Sequence, residues 1–179
     1  HTHEYLADES NDLIRDDIAK SISIFKKNLG KNSEFFSYPF GEYSNDFKKI
    51  IKDFGFKYAF GQHSGVIDET KDFYELPRYP INEKYGEIER FKSLTKTLPF
   101  KYKKIYPEEK YLLKDKNPPN VKIEFHNNIK NLKSVSCYSN EGDKWRQSNI
   151  KFKNSNTLLI NINEKFIGER GRINCSLRD

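Results

Sequence analysis

Glu34-Phe35-Phe36-Ser37-Tyr38-Pro39-Phe40-Gly41, residues 34–41, is the stretch on which the fold turns. Its aromatic-rich first part suits a strand from Glu34 to Tyr38, and Pro39-Phe40-Gly41 then forms a tight turn at the strand's end. Upstream, Ile14, Ile18, Ile22, Phe25 and Leu29 recur at spacings of three and four. This period predicts a helix from about Asn11 to Leu29, capped by Ser10 or Asp8 and stopped by Gly30. Downstream, a second helix starts near Ser44, carries Phe47, Ile50, Ile51 and Phe54 on one face, and stops at Gly55. Phe56 to Phe60 is the next strand, Phe73 to Tyr79 a further extended segment, and Tyr85 to Lys96 an amphipathic helix. Helices alternating with short buried strands predict an α/β fold built on a parallel sheet or barrel.

From Leu98 onward the pattern changes. Pro99, Pro107, Pro118 and Pro119 punctuate a stretch without helical period. Strand-type runs follow at Val121–His126, Leu132–Tyr138, Ile150–Lys153, Thr157–Ile162 and Arg172–Leu177, separated by turn-forming residues. Short strands at this spacing predict a small antiparallel β-sandwich. The expected organisation is an α/β unit over 1–97, a linker over 98–120 and the sandwich over 121–179. Charge supports two units: residues 1–100 hold 15 Lys/Arg against 17 Asp/Glu, whereas residues 101–179 hold 17 against 9. The lysines are scattered, which favours a solvated basic surface over a dedicated anion site. Aromatic and basic residues do not interleave as single-strand binders need, so no nucleic-acid partner is expected. No apolar run approaches the roughly 20 residues that span a bilayer, so no transmembrane segment is expected. Cys137 and Cys175 lie in strand-like runs. A disulfide in an oxidising compartment and two buried thiols are both open, and the pair lacks zinc-site spacing.

Three elements occur in a telling order: Thr2-His3-Glu4-Tyr5-Leu6, Ser37-Tyr38-Pro39-Phe40-Gly41 and Gly55-Phe56-Lys57-Tyr58-Ala59. The order resembles the polysaccharide deacetylases of carbohydrate esterase family 4, whose domain is a distorted (β/α) barrel. The resemblance covers about residues 1–95. It implies hydrolysis of N-acetyl groups from an N-acetylhexosamine-containing polysaccharide, with a divalent metal, usually zinc, held by one Asp and two His. The metal polarises the acetamide carbonyl and activates water, and a second Asp is the base. Within the family's His-Ser/Thr-x-x-His motif, His3 fits the second histidine, with Thr2 before it. His1 as the first histidine would require His at position 5, where Tyr5 stands. His3 is therefore the implied metal ligand and His1 the lesser candidate. The family's Arg-x-Pro-aromatic-Gly motif falls on Ser37-Tyr38-Pro39-Phe40-Gly41. It implies that the Phe40 amide stabilises the oxyanion and that Tyr38, Pro39 and Phe40 line the substrate site.

The sequence departs from the family at several points. Ser37 stands in place of the motif's Arg, and Arg78 in Leu76-Pro77-Arg78 is the candidate substitute. The family's Asp-Trp and Leu-x-x-His segments are not recognisable, which leaves His63, in Gly61-Gln62-His63-Ser64-Gly65, as the candidate general acid. The first metal histidine and the paired aspartates would precede His1, while Asp8, Glu9, Asp12, Asp16 and Asp17 read as solvated residues at a helix start. The chain is therefore expected to be a fragment, inactive alone, whose partners are the polysaccharide and the N-terminal half of its own domain. In the β-domain, Trp145 is a candidate for stacking on a sugar ring, and His126 reads as a surface histidine. Activity on an envelope polymer implies a periplasmic or secreted protein. The competing reading is a catalytically incomplete glycan-binding or structural module.

Overall fold

A computed structural model describes residues 4–127, 129–168 and 170–178. The chain divides into two units, His1–Pro99 and Phe100–Asp179.

The first unit begins with helix α1, Asn11–Leu29. The Ser10 hydroxyl accepts from the Leu13 N–H at its start. Gly30 ends it in the left-handed region, its N–H bonded to the Lys26 carbonyl. Ile14 and Ile18 are buried, and Asp17, three residues after Ile14 and next to Ile18, is buried with them. That corrects the reading of the acidic group as wholly solvated. Asp8, Glu9, Asp12 and Asp16 are exposed, but the face that buries the two isoleucines takes Asp17 with it. The far end of the predicted apolar face is not core either, because Leu29 lies exposed.

Strand β1, Phe35–Ser37, pairs in parallel with β2, Tyr58–Phe60, in the register Phe35 to Tyr58 and Ser37 to Phe60. Between them runs helix α2, Asn45–Asp53, capped by the Ser44 hydroxyl, which accepts from the Phe47 N–H at 3.1 Å. One helix joining two parallel strands is the βαβ unit that the alternating pattern predicts. Phe47, Ile50 and Ile51 of α2 meet Ile14, Ile18, Tyr38, Phe56 and Ala59 in one core, which Leu6 joins.

The segment 73–79 is not a continuous strand. Only Leu76 bridges Phe60, in parallel. The Asp72 carboxylate accepts from the Tyr74 N–H, and the Glu75 N–H donates to the Asp72 carbonyl. This turn uses backbone groups that a ladder would need. Helix α3, Ile88–Leu94, is shorter than its sequence pattern because Asn82 holds the Tyr85 N–H in a turn. Its Ile88 and Phe91 are exposed.

The second unit is antiparallel. A four-stranded sheet has the order β3 (Lys104–Tyr106), β4 (Val121–Glu124), β8 (Thr157–Asn161), β7 (Asn149–Asn154). A three-stranded sheet has the order β6 (Arg146–Gln147), β5 (Ser136–Ser139), β9 (Ile173–Ser176). Strand β3 lies inside the stretch read from sequence as linker, and the run Leu132–Tyr138 divides into a 3₁₀ turn, Leu132–Ser134, and β5. Val121, Ile123, Leu158 and Ile160 of the larger sheet and Cys137 of the smaller share one core with Phe125 and Val135. Burying a side chain such as Leu158 contributes about 1.5–3 kcal/mol.

Cys137 and Cys175, opposed across β5 and β9, form a disulfide. Two polar clips fix the loops. The fully buried Glu141 carboxylate accepts from the Asn163 and Glu164 N–H groups and from the Ser139 hydroxyl. The Asn117 amide pairs with both the N–H and the carbonyl of Phe166.

Candidate active site

The first unit gathers three of the expected site residues at the carboxyl ends of its parallel segments. Pro39-Phe40-Gly41 follows β1, the Gly61–Gly65 loop follows β2, and Arg78 follows the Leu76 bridge. In parallel α/β sheets this is the end at which ligands bind, because the connecting loops there diverge.

The turn is a single 3₁₀ turn. The Gly41 N–H donates to the Tyr38 carbonyl at 2.8 Å, and the Glu42 N–H to that of Pro39 at 3.1 Å. Phe40 sits at φ 55°, ψ 4°, a left-handed conformation that a bulky L-residue rarely adopts. Backbone strain of this kind concentrates at working sites. Gly41 follows at φ 76°, and a Cβ there would come within 2.5 Å of the Gln62 backbone nitrogen and side chain. The turn therefore rests directly on the loop that carries His63.

That loop is fastened from the other side. The Arg78 Nε donates to the Gly61 carbonyl at 2.8 Å, and the Arg78 N–H to the His63 carbonyl at 2.9 Å. The His63 imidazole is exposed and lies beside Gly61, whose Cβ, if present, would stand 2.8 Å from Nδ1. Arg78 thus acts here as a clamp on the His63 loop.

Tyr38 differs from its expected role in lining the substrate site. Its ring is 1% exposed within the core, and its hydroxyl donates to the Tyr74 carbonyl at 2.9 Å. Burial pushes that hydroxyl's pKa well up, and the Asp72 and Glu75 carboxylates add to the rise. Tyr38 anchors the turn from beneath. Pro39 and Phe40 are half-buried and offer surface.

One contact escaped the sequence reading. The Tyr5 ring stacks on the Phe40 ring, with centroids 4.2 Å apart and planes 8° from parallel. In sequence Tyr5 stands out only as the position that lacks a histidine, and nothing in its spacing from Phe40 signals the pair. His1 and His3 lie outside the described residues. Among the described residues no group of three His, Cys, Asp or Glu side chains is placed to hold a metal ion. No described helix is long and apolar enough to cross a membrane. Trp145 belongs to the second unit, where it is exposed.

The family model described as polysaccharide deacetylase matches residues 1–59, the span from the N-terminal segment through α1, the Phe40 turn and α2 into β2. Over that span the first unit is similar to the polysaccharide deacetylase family. Among solved structures, the chain is similar to Streptococcus pyogenes deacetylase PplD in complex with acetate. The identity is 20% and the TM-score 0.49, over 53% of this chain and 42% of that one. The chain thus spans less than half the length of that protein. No curated protein sequence matches it significantly.

Proposed function

We propose that the whole protein hydrolyses N-acetyl groups from an N-acetylhexosamine-containing polysaccharide, in a metal-dependent reaction. The observation that carries this reading is the convergence of the Phe40 turn, the His63 loop and the Arg78 clamp at one end of the parallel segments. The stack of Tyr5 on Phe40 adds to it.

In this reading His3, with His1 as the lesser candidate, is this chain's contribution to a divalent-metal site, with zinc the expected ion. The bound metal would polarise the acetamide carbonyl and activate water. The Phe40 N–H would stabilise the oxyanion, Pro39 and Phe40 would wall the acetyl group, and His63 would protonate the departing amine. The activity is proposed for the whole protein rather than for these residues alone.

The βαβ unit is read as part of a distorted barrel, and the two antiparallel sheets as the faces of a β-sandwich. Trp145 is a separate candidate for sugar stacking on that sandwich. The Cys137–Cys175 disulfide supports a periplasmic or secreted location, since such bonds persist in oxidising compartments.

The test is acetate release by the full-length protein from a partially acetylated hexosamine polymer. Loss of release on chelation and recovery with zinc are expected. Release that survives complete metal removal would overturn the reading.

A further inference from the structure

The larger sheet of the second unit buries one face and exposes the other, and alternation decides what each carries. Ile105, Val121, Ile123, Ile150, Phe152, Leu158 and Ile160 turn to the core. Their neighbours therefore turn outward. The register puts Tyr106, Lys122, Leu159 and Lys151 in one cross-strand row. Val121 pairs with Ile160, and Asn149 with Asn161, so Asn120, Asn161 and Asn149 form the next row.

An open groove of ≈ 540 Å³ takes in part of these rows: Tyr106, Lys122 and Leu159 from the first and Asn120 and Asn161 from the second line it with Pro119, whereas Lys151 and Asn149 stand outside its wall. The Lys122 ammonium lies 3.9 Å from the Tyr106 ring centroid and 2.7 Å from the Glu124 carboxylate. Lys104 sits over the same ring at 5.1 Å.

We propose that this groove binds a carboxylate-bearing polysaccharide. A sugar ring presents an apolar C–H face and a rim of hydroxyls. The strip of Tyr106, Pro119 and Leu159 matches the first, as aromatic and apolar surfaces do. The asparagine row matches the second, because each amide both donates and accepts, as a hydroxyl does. Lys122 in the wall, with Lys104 and Lys151 on the strands to either side, supplies the cations for the carboxylates, which would exchange with Glu124 on Lys122 and with Glu108 on Lys104, on a unit with 17 Lys/Arg against 9 Asp/Glu over residues 101–179. A single aromatic ring on the face favours a glycan over single-stranded nucleic acid, which needs successive rings on which to stack bases. The groove is distinct from Trp145 and does not rest on the deacetylase reading, because binding is measured without turnover.

The experiment is affinity electrophoresis of the full chain through gels containing hyaluronan, polyphosphate, neutral hydroxyethyl cellulose or poly(dT). Retardation by hyaluronan is expected, weakening as salt screens the exposed charges. A variant with Lys104→Gln, Lys122→Gln and Lys151→Gln should bind at least about tenfold more weakly, three charge-assisted contacts being lost. Tyr106→Ala, which leaves the charge unchanged, should weaken hyaluronan binding but not polyphosphate binding. Unchanged Trp145 fluorescence in both variants shows that the unit is still folded, and Asn161→Ala replaces any variant that fails this check. Unaltered hyaluronan binding in the folded variants would overturn the proposal. So would equal retardation by polyphosphate with no effect of Tyr106→Ala, or tighter binding of poly(dT).

Discussion

Replacing Gly41 by alanine tests whether the Phe40 turn and the His63 loop are one structure. Two costs combine at this position. The backbone sits at φ 76°, where an L-residue is disfavoured by about 1–2 kcal/mol. The new methyl would also meet the Gln62 backbone nitrogen at 2.5 Å, an overpacking that typically costs about 1–3 kcal/mol. Together these give a loss of about 2–5 kcal/mol.

Gly30 is the control. It has nearly the same φ, 70°, but nothing lies within 4 Å of its missing Cβ. Gly30→Ala should therefore cost only the conformational part, and the difference between the two variants isolates the contact with Gln62. The assay is denaturant unfolding of the full chain followed by helical circular dichroism, since all the described α-helices lie in the first unit. Trp145 fluorescence, which reports on the second unit, should show an unchanged transition. If Gly41→Ala and Gly30→Ala destabilise equally, the loop does not press on the turn and the argument for a shared site fails.

Reducing the disulfide, or replacing both Cys137 and Cys175 by alanine, removes a link with a sequence separation of 38. A loop of that size corresponds to roughly 4 kcal/mol of chain entropy, read as a lower urea midpoint for Trp145 fluorescence. Glu141→Gln keeps one oxygen for the Asn163 and Glu164 N–H groups, which share Oε2, but removes the charge that strengthens those bonds and sets an amide donor where Oε1 accepts from the Ser139 hydroxyl. A loss of about 1–3 kcal/mol in the same assay is expected. At low pH the first unit should lose stability through Asp72: burial pushes its carboxyl up, but the Tyr74 N–H and the Lys48 ammonium outweigh this and hold it below the usual range. A depressed carboxyl stabilises above its unfolded pKa of about 3.9 and loses that contribution as pH falls through the lower folded value, so the acid limb of the helical signal should flatten in Lys48→Met. Lys48 itself is pushed down by burial but raised overall by Glu75 and Asp72, so its contribution is present below about pH 10 and is lost above it.

Local chemistry made most elements legible. Ser10, Gly30 and Ser44 bound their helices because caps act within one turn, and β2 followed from a short apolar run after Gly55. What was not legible depended on partners distant in sequence. Strand β3 is three residues long and exists because Ile105 finds Ile123. Asp17 is buried because the core requires its helix face. At the site, the Pro39-Phe40-Gly41 turn was readable from its residue types, and Arg78 only as a candidate substitute for the motif's arginine. The bond from Arg78 to the Gly61 carbonyl was not, because a backbone acceptor leaves no trace in composition. The stack of Tyr5 on Phe40 was hidden for the same reason, since pairing across 35 positions has no period.

These contacts give the first unit a particular division of labour. Gly41 rests on Gln62, Arg78 holds Gly61 and the His63 backbone, and Tyr38 pins the turn through the Tyr74 carbonyl. Most of the links are made to main-chain atoms, so they fix the path of two loops without consuming exposed side chains. Phe40 can then hold a strained backbone, because what surrounds it over-determines its conformation. A preorganised amide is effective only if it does not reorganise as charge develops. If the Phe40 N–H is the proposed oxyanion donor, a turn braced from the Gln62 loop and from the core beneath it meets that condition.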